Sequence, residues 1–254
     1  VTLAYYNEID PYAAAWLRNL INAGHIAYGD VDERDIRDVR PSELSGYTQC
    51  HFFAGLGGWG HALRLARWPD ERPVWTGSCP CQPFSTAGKR QGTADKRHLW
   101  PDWFKLIDQC RPPRIFGEQV ASADGRDWFS GVRTDLESVA YAAGGADLCA
   151  AGIGAPHRRQ RLYFVAALPD PYSVRPQREW EFAGRAWPEQ QFTGLVQDQL
   201  SVSLPSGKSG GLVDGVSARV GKLRAFGNAI HPYLGASFVV AAEQAIEAAR
   251  GAEW

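Results

Sequence analysis

The 254-residue chain has no methionine and only five cysteines. The cysteines, at 50, 79, 81, 110 and 149, are odd in number and irregular in spacing. That argues against a secreted disulfide framework and for a reducing, cytoplasmic setting. Cys79 and Cys81 are closer together than paired zinc ligands, and no second Cys/His pair follows, so no metal is expected. No apolar run reaches bilayer-spanning length and no basic segment leads into an apolar one, so neither a membrane partner nor a signal peptide is expected. With a net charge of −1 the chain also lacks the basic excess of a dedicated non-specific nucleic-acid binder. Nucleic-acid contact would have to come from local clusters such as Lys89/Arg90/Lys96/Arg97, Arg158/Arg159/Arg161, Arg175/Arg178/Arg185 or Arg219/Lys222/Arg224. Each of these reads equally well, by itself, as a solvated face.

What is present is the texture of a globular α/β protein: 44% apolar and 22% charged residues, enough for one large or two small domains. Strand-like runs at 3–6, 26–31, 50–54, 73–75, 114–116 and 161–167 alternate with helical patterns at 12–23, 62–66, 100–110, 127–142 and an Ala-rich segment ending at Arg250. Alternation of this kind predicts a doubly wound, mostly parallel sheet. Functional groups then belong at the carboxyl ends of strands. Glu8, Gly55, Cys81 and Glu118 all fall at such ends. From Pro169 to about Gly211 the periodicity is replaced by Pro, Gly, Ser, Gln and aromatics. The division expected is a core over 1–168, a small recognition segment over 169–211 and a return to the core over 212–254.

Cys81 lies between Pro80 and Pro83. Proline fixes the backbone and donates no N–H, so this thiol is expected on a stiff loop, as a nucleophile or as a buried structural cysteine. The turn Gly55-Leu56-Gly57-Gly58-Trp59-Gly60 fits G-x-G-x-x-G and lets a ligand approach the backbone where a helix begins. No acid follows the next strand at the distance a nicotinamide site requires, whereas an adenosyl ligand remains compatible. Glu118 could act as an acid toward a ring nitrogen if burial raises its pKa, or simply cap a helix or pair with a base. Arg159 and Arg161 fall on one face of a following strand, where one could donate to a carbonyl oxygen while the other braces the loop.

In this order, Phe-Phe-Ala-Gly-Leu-Gly-Gly (52–58), Pro-Cys-Gln-Pro-Phe-Ser with Ala-Gly-Lys-Arg (80–90), Gly-Glu-Gln-Val (117–120), Pro-His-Arg-Arg-Gln-Arg (156–161) and Gly-Asn-Ala-Ile-His-Pro (227–232) resemble the DNA (cytosine-5)-methyltransferase family. The resemblance implies a Rossmann-like fold, S-adenosylmethionine as methyl donor and double-stranded DNA as partner. It also implies a cytoplasmic setting in a prokaryotic or phage-infected cell. Cys81 would attack C6 of a flipped-out cytosine, Glu118 would serve N3, Arg159 the base carbonyl, and Arg161 the catalytic loop. Cofactor contacts would come from Phe53, Gly55, Leu56 and Gly57 of the glycine turn, from Glu8 and Ile9, from Asp30 or Asp35, and from Pro80 and Asn228. A tRNA-directed enzyme and a non-catalytic nucleic-acid-binding relic are the alternatives.

Three departures from the family pattern stand out. Gln119 replaces the usual Asn after the glutamate, and His157 replaces the usual Gln before the arginines. The segment carrying Glu8 and the Asp30 and Asp35 candidates precedes the glycine turn instead of following it. This predicts a permuted threading, with strands two and three of the family order first in the chain and strands one and four next, and with Arg40–Gln49 crossing over the neighbouring strand.

Overall fold

The computed structural model describes residues 3–80, 99–155, 159–169 and 230–251. The expected segment 169–211, apart from its first residue, lies outside the described residues, as do Cys81, His157 and Asn228. Chain entry is the fully buried β1 (Ala4–Asn7). Asp10 then caps α1 (Pro11–Asn22): its carboxylate accepts the N–H groups of Tyr12 and Ala13 at 2.9 and 3.0 Å, and Pro11 fills the first helical position. Ala13, Ala14, Leu17 and Ile21 form the buried stripe of α1 against Ala4, Tyr6 and Ile26. The chain returns as β2 (Gly29–Asp32), crosses through α2 (Pro41–Leu44) to β3 (Gln49–Phe52), and continues through α3 (Gly58–Leu65), β4 (Val74–Gly77), α4 (Trp100–Cys110) and β5 (Arg114–Val120). After α5 (Ala123–Ser138) come β6 (Ala142–Cys149) and β7 (Gln160–Ala167), and α6 (Pro232–Gly251) is the last described element.

The seven strands make one sheet in the order β2-β1-β3-β4-β5-β7-β6. The first five are parallel, and β7 runs antiparallel to both β5 and β6. The permuted threading read from the sequence is therefore present: β1 lies between β2 and β3, and the 33–48 segment carries the chain from β2 past β1. That segment is held on one face of the sheet by Ile36, Val39 and Leu44, which pack with Tyr5, Cys50, Phe52, Trp103 and Ile107. On the other face α3 and α6 share a core of Trp59, Leu63, Ile230, Leu234 and Phe238 under Phe116 and Tyr163.

One expected element differs. The helix read at 127–142 runs from Ala123 to Ser138, and Ala142–Cys149 is a strand. Its sequence, Ala-Ala-Gly-Gly-Ala-Asp-Leu-Cys, has little strand propensity. It is a strand because all eight residues pair with β7, a tertiary effect that local composition does not carry.

Tight packing fixes the carboxyl ends of β4 and β5. A Cβ at Gly117 would stand 2.0 Å from the Phe164 ring, and one at Gly77 would stand 2.6 Å from Trp103. The two aromatic side chains thus press on the carboxyl ends of β5 and β4 from the α4/α5 face.

Inside the sheet, the His51 ring stacks on Tyr6 with centroids 4.7 Å apart, and its Nδ1 is 2.8 Å from Thr76 Oγ1. Its Nε2 has no hydrogen-bond partner among the described residues. Burial pushes its pKa down to about 3. The unfolded chain takes up this proton near pH 6.5 and the folded chain does not, so stability is full above that pH and falls as pH drops toward 3. Between pH 6.5 and 4.5 the loss from this one residue is about 2–3 kcal/mol. Urea denaturation over that range will show it as a slope that His51→Gln removes. Superimposable wild-type and variant slopes would refute the assignment.

Candidate active site

Two crevice walls meet where the winding of the sheet reverses. From β1 the chain steps outward to β2, and from β3 it steps the other way to β4 and β5, so the β1/β3 pair is the switch point at which α/β sheets bind ligands. Glu8 follows β1 directly, and the glycine turn follows β3. The Glu8 carboxylate joins them: Oε2 accepts the Gly55 N–H at 2.6 Å and Oε1 accepts the Asp10 N–H at 2.9 Å. Burial raises the Glu8 pKa, and the two N–H groups oppose that rise. Each oxygen keeps lone-pair capacity for a ligand hydroxyl.

The turn itself is built for close approach. Phe53, Gly55 and Gly57 all have positive φ, at 51°, 53° and 77°. A Cβ at Gly55 would meet nothing nearer than the Phe53 carbonyl oxygen at 4.0 Å, so this residue faces open space. At Gly57, which caps α3, a Cβ would meet Leu20 at 2.9 Å. Gly58 receives the Ile230 side chain, 2.6 Å from where its own Cβ would lie. The segment leading into α6 is thereby pinned against the turn. Ile9, 61% exposed, stands beside Glu8 as an apolar surface at the mouth of the crevice. An adenosyl ligand fits this set: close backbone approach, hydroxyl acceptors and an apolar platform.

The two candidate aspartates are placed differently. Asp30 is the second residue of β2, in register with Tyr5, and accepts the Tyr47 hydroxyl at 2.8 Å. Asp35 lies past the carboxyl end of β2, where its side chain caps the 36–38 turn and pairs with Arg37. Asn7 steadies this loop by donating to the Arg34 carbonyl at 2.9 Å.

The second cluster forms at the carboxyl ends of β4 and β5. Glu118 is 5% exposed, and its Oε1 accepts from Arg161 Nε at 2.8 Å. Because β7 is antiparallel to β5, the start of β7 lies at the end of β5, with Arg161 opposite Val120 and Tyr163 opposite Glu118. Arg159, just before β7, also acts electrostatically on Glu118. Burial raises the Glu118 pKa, while the charges of Arg161 and Arg159 and a hydrogen bond from Ser78 oppose the rise.

The loop toward Cys81 is anchored from below. Gln119 Nε2 donates to the Cys79 carbonyl at 3.1 Å, and its Oε1 accepts the Val120 N–H at 3.0 Å. The glutamine found where the family has asparagine thus grips the backbone two residues before Cys81. Ser78 Oγ accepts from Trp59 Nε1 at 3.2 Å. Sequence reasoning missed this serine, because its partners come from α3 and β5 and no local pattern signals them. Pro80 ends the described part of the loop. Among the described residues no group of His, Cys, Asp and Glu could hold a metal ion, and no helix is long and apolar enough to cross a membrane.

The family model for C-5 cytosine-specific DNA methylase matches residues 1–205. The chain is 31% identical over 167 residues to the type II methyltransferase M.HhaI of Haemophilus parahaemolyticus, covering 50% of this chain and 51% of that protein. It is 28% identical over 181 residues to M.NlaX of Neisseria lactamica, covering 65% and 57%, and 31% identical over 106 residues to M.BsuFI of Bacillus subtilis, covering 40% and 26%. The chain therefore spans about a quarter to just over half the length of these relatives. Among solved structures, a DNMT2 variant from Spodoptera frugiperda superimposes with a TM-score of 0.46 at 17% identity, covering 69% of this chain and 45% of that one.

Proposed function

The chain belongs to the C-5 cytosine-specific DNA methylase family, and from that premise we propose that it methylates C5 of cytosine in double-stranded DNA. The observation that carries this reading is the buried Glu118, paired with Arg161 and joined to the loop that leads to Cys81. S-adenosylmethionine held in the β1/β3 crevice would supply the methyl group. Phe53, Gly55, Leu56 and Gly57 would cradle its methionine part, Glu8 its ribose hydroxyls and Ile9 its adenine face, with Pro80 and Asn228 beside it. Asp35 is preferred over Asp30 for the adenine amino group, since Asp35 lies beyond the strand end and Asp30 is held within β2 by Tyr47.

In the reaction, Cys81 thiolate adds to C6 of a flipped cytosine, and Glu118 holds a proton at N3 as charge builds on the ring. Arg159 donates to the base carbonyl. Arg161 keeps the Glu118 carboxyl in place. The C5 carbon so activated would take the methyl as its bond to the sulfonium sulfur breaks and the cofactor leaves as a neutral thioether, and loss of the C5 proton to water would then expel Cys81 as the thiolate. Residues 169–211 are proposed as the target-recognition segment, with 1–168 and 212–254 as the catalytic core. The relatives' assignment as type II methyltransferases favours a restriction-modification setting in a bacterial cytoplasm.

The decisive experiment incubates the protein with labelled S-adenosylmethionine and either duplex DNA or tRNA, then maps the modified bases. Label at C5 of cytosine in the duplex is the expected result. Label confined to tRNA, or none in either, would overturn the reading.

A further inference from the structure

Ser78 joins three elements. It follows β4, accepts the Trp59 N–H from α3 at 3.2 Å, and is hydrogen-bonded to the Glu118 carboxylate of β5. An indole N–H can only donate, so Ser78 accepts from Trp59 and keeps its single proton for the Glu118 carboxyl whenever that group is ionised. Trp59 is 4% exposed, and its ring packs edge-on against Tyr163 with centroids 5.9 Å apart. The donor at the head of the relay is therefore fixed by the core and not by solvent.

We propose that Ser78 is a positioning residue for the methyl-transfer reaction: with Trp59 behind it, it orients the Glu118 carboxyl toward the cytosine ring. The inference rests on the cytosine-methylating reading of the site. Arg161 Nε occupies Glu118 Oε1 from the β7 side. Ser78 approaches from the β4 side. Held from both sides, the carboxyl group has no freedom to rotate away from the loop that carries Cys81. The charged and titratable groups acting on Glu118 are Arg161 and Arg159, and Tyr163 on β7 is the other titratable neighbour. None of these can replace the Ser78 hydroxyl, because all three belong to the β7 side.

The relay also tunes protonation, and this separates it from a merely structural contact. The Ser78 hydroxyl favours ionised Glu118, so removing it must move Glu118 ionisation to higher pH. Single-turnover methylation of duplex DNA is to be followed against pH for wild type, Ser78→Ala, Ser78→Thr and Trp59→Phe. In Ser78→Ala the plateau rate should fall about tenfold, the worth of a hydrogen bond to a charged group, and the alkaline limb should move to higher pH. Binding of S-adenosylmethionine, measured by calorimetry, should be unchanged. Ser78→Thr should restore both the rate and the limb, and Trp59→Phe should shift the limb the same way by less. A Ser78→Ala profile that keeps the wild-type limb, or a Ser78→Thr variant no better than alanine, would overturn the proposal. Carbon-13 titration of the Glu118 carboxyl, assigned with Glu118→Gln, tests the relay without activity. A carboxyl that titrates higher in Ser78→Ala, in a protein that methylates no DNA, would sink the activity reading and leave the relay standing. Active protein with an unmoved titration would sink the relay alone.

Discussion

Cys81→Ser should lower methyl transfer to duplex DNA by at least about a thousandfold while leaving S-adenosylmethionine binding intact. The size follows from the role proposed: a serine hydroxyl is a far poorer nucleophile than a thiolate, and losing the covalent step removes the activation of C5 altogether. Cofactor binding should survive because the crevice is made by Glu8, Gly55 and Ile9 at β1 and β3, two strands away from the Glu118 centre at β5. Cys79 is the internal control. Its side chain is 4% exposed within the core, and the part of it that Gln119 grips is the carbonyl, which alanine retains. Cys79→Ala should therefore stay within about tenfold of wild type, the scale of a modest packing loss. A Cys81→Ser protein as active as Cys79→Ala, or one that still forms a covalent adduct with 5-fluorocytosine DNA, would remove Cys81 from the mechanism.

The second large effect is on stability. Arg161→Met should destabilise the fold by up to about 3–5 kcal/mol, because it takes from a buried carboxylate its ion-pair partner and leaves only Arg159 and Ser78 to offset burial. The Glu118 side chain is 7% exposed and that of Arg161 21%, so solvent cannot take over. Methionine keeps the apolar stem and removes the guanidinium alone. With the arginine gone, one force opposing the effect of burial disappears and the Glu118 pKa rises further. The variant should thus be penalised most at alkaline pH, where Glu118 must be charged, and should recover as pH falls and Glu118 takes up its proton. Adding Glu118→Gln should restore much of the loss. Urea denaturation of the two single variants and the double variant at two pH values gives the coupling directly. Additive losses with no pH dependence would show that the pair is not coupled.

These two sites were legible in the sequence to different degrees. Glu8, Gly55 and Glu118 each follow a short apolar run that ends in a turn signal, and strand ends of that kind can be found without coordinates. The order of the motifs was sufficient to reveal the permuted threading, since a Glu-bearing strand placed before the glycine turn must pair beside it to share a crevice. The choice between Asp30 and Asp35 was not legible, because it depends on where β2 stops, and strand boundaries two or three residues apart look alike in composition. Nor was β6, whose alanines and glycines become a strand only through β7. The pressure of Phe164 on Gly117 and of Trp103 on Gly77 is equally invisible in one dimension: each glycine is small because of a ring that arrives from another element. Gln119 is a related case. Its departure from asparagine is visible in the sequence, but the contact its longer amide makes with the Cys79 carbonyl is not.

The contact of Ile230 with Gly58 has a consequence for how the protein is made. The wall of the β1/β3 crevice needs Glu8, then Gly55, and then Ile230 at the entry to α6, which lies far downstream of both. On a ribosome the first two emerge well before the third, and the wall is incomplete until α6 can dock on α3. Acquisition of ligand-binding competence should then be a late, all-or-none event, since non-local closures are slow and their rewards arrive together. A ligand bound there would hold segments distant in sequence together and stabilise the fold through mass action. In a cell, the supply of that ligand would set how much of the newly made protein persists.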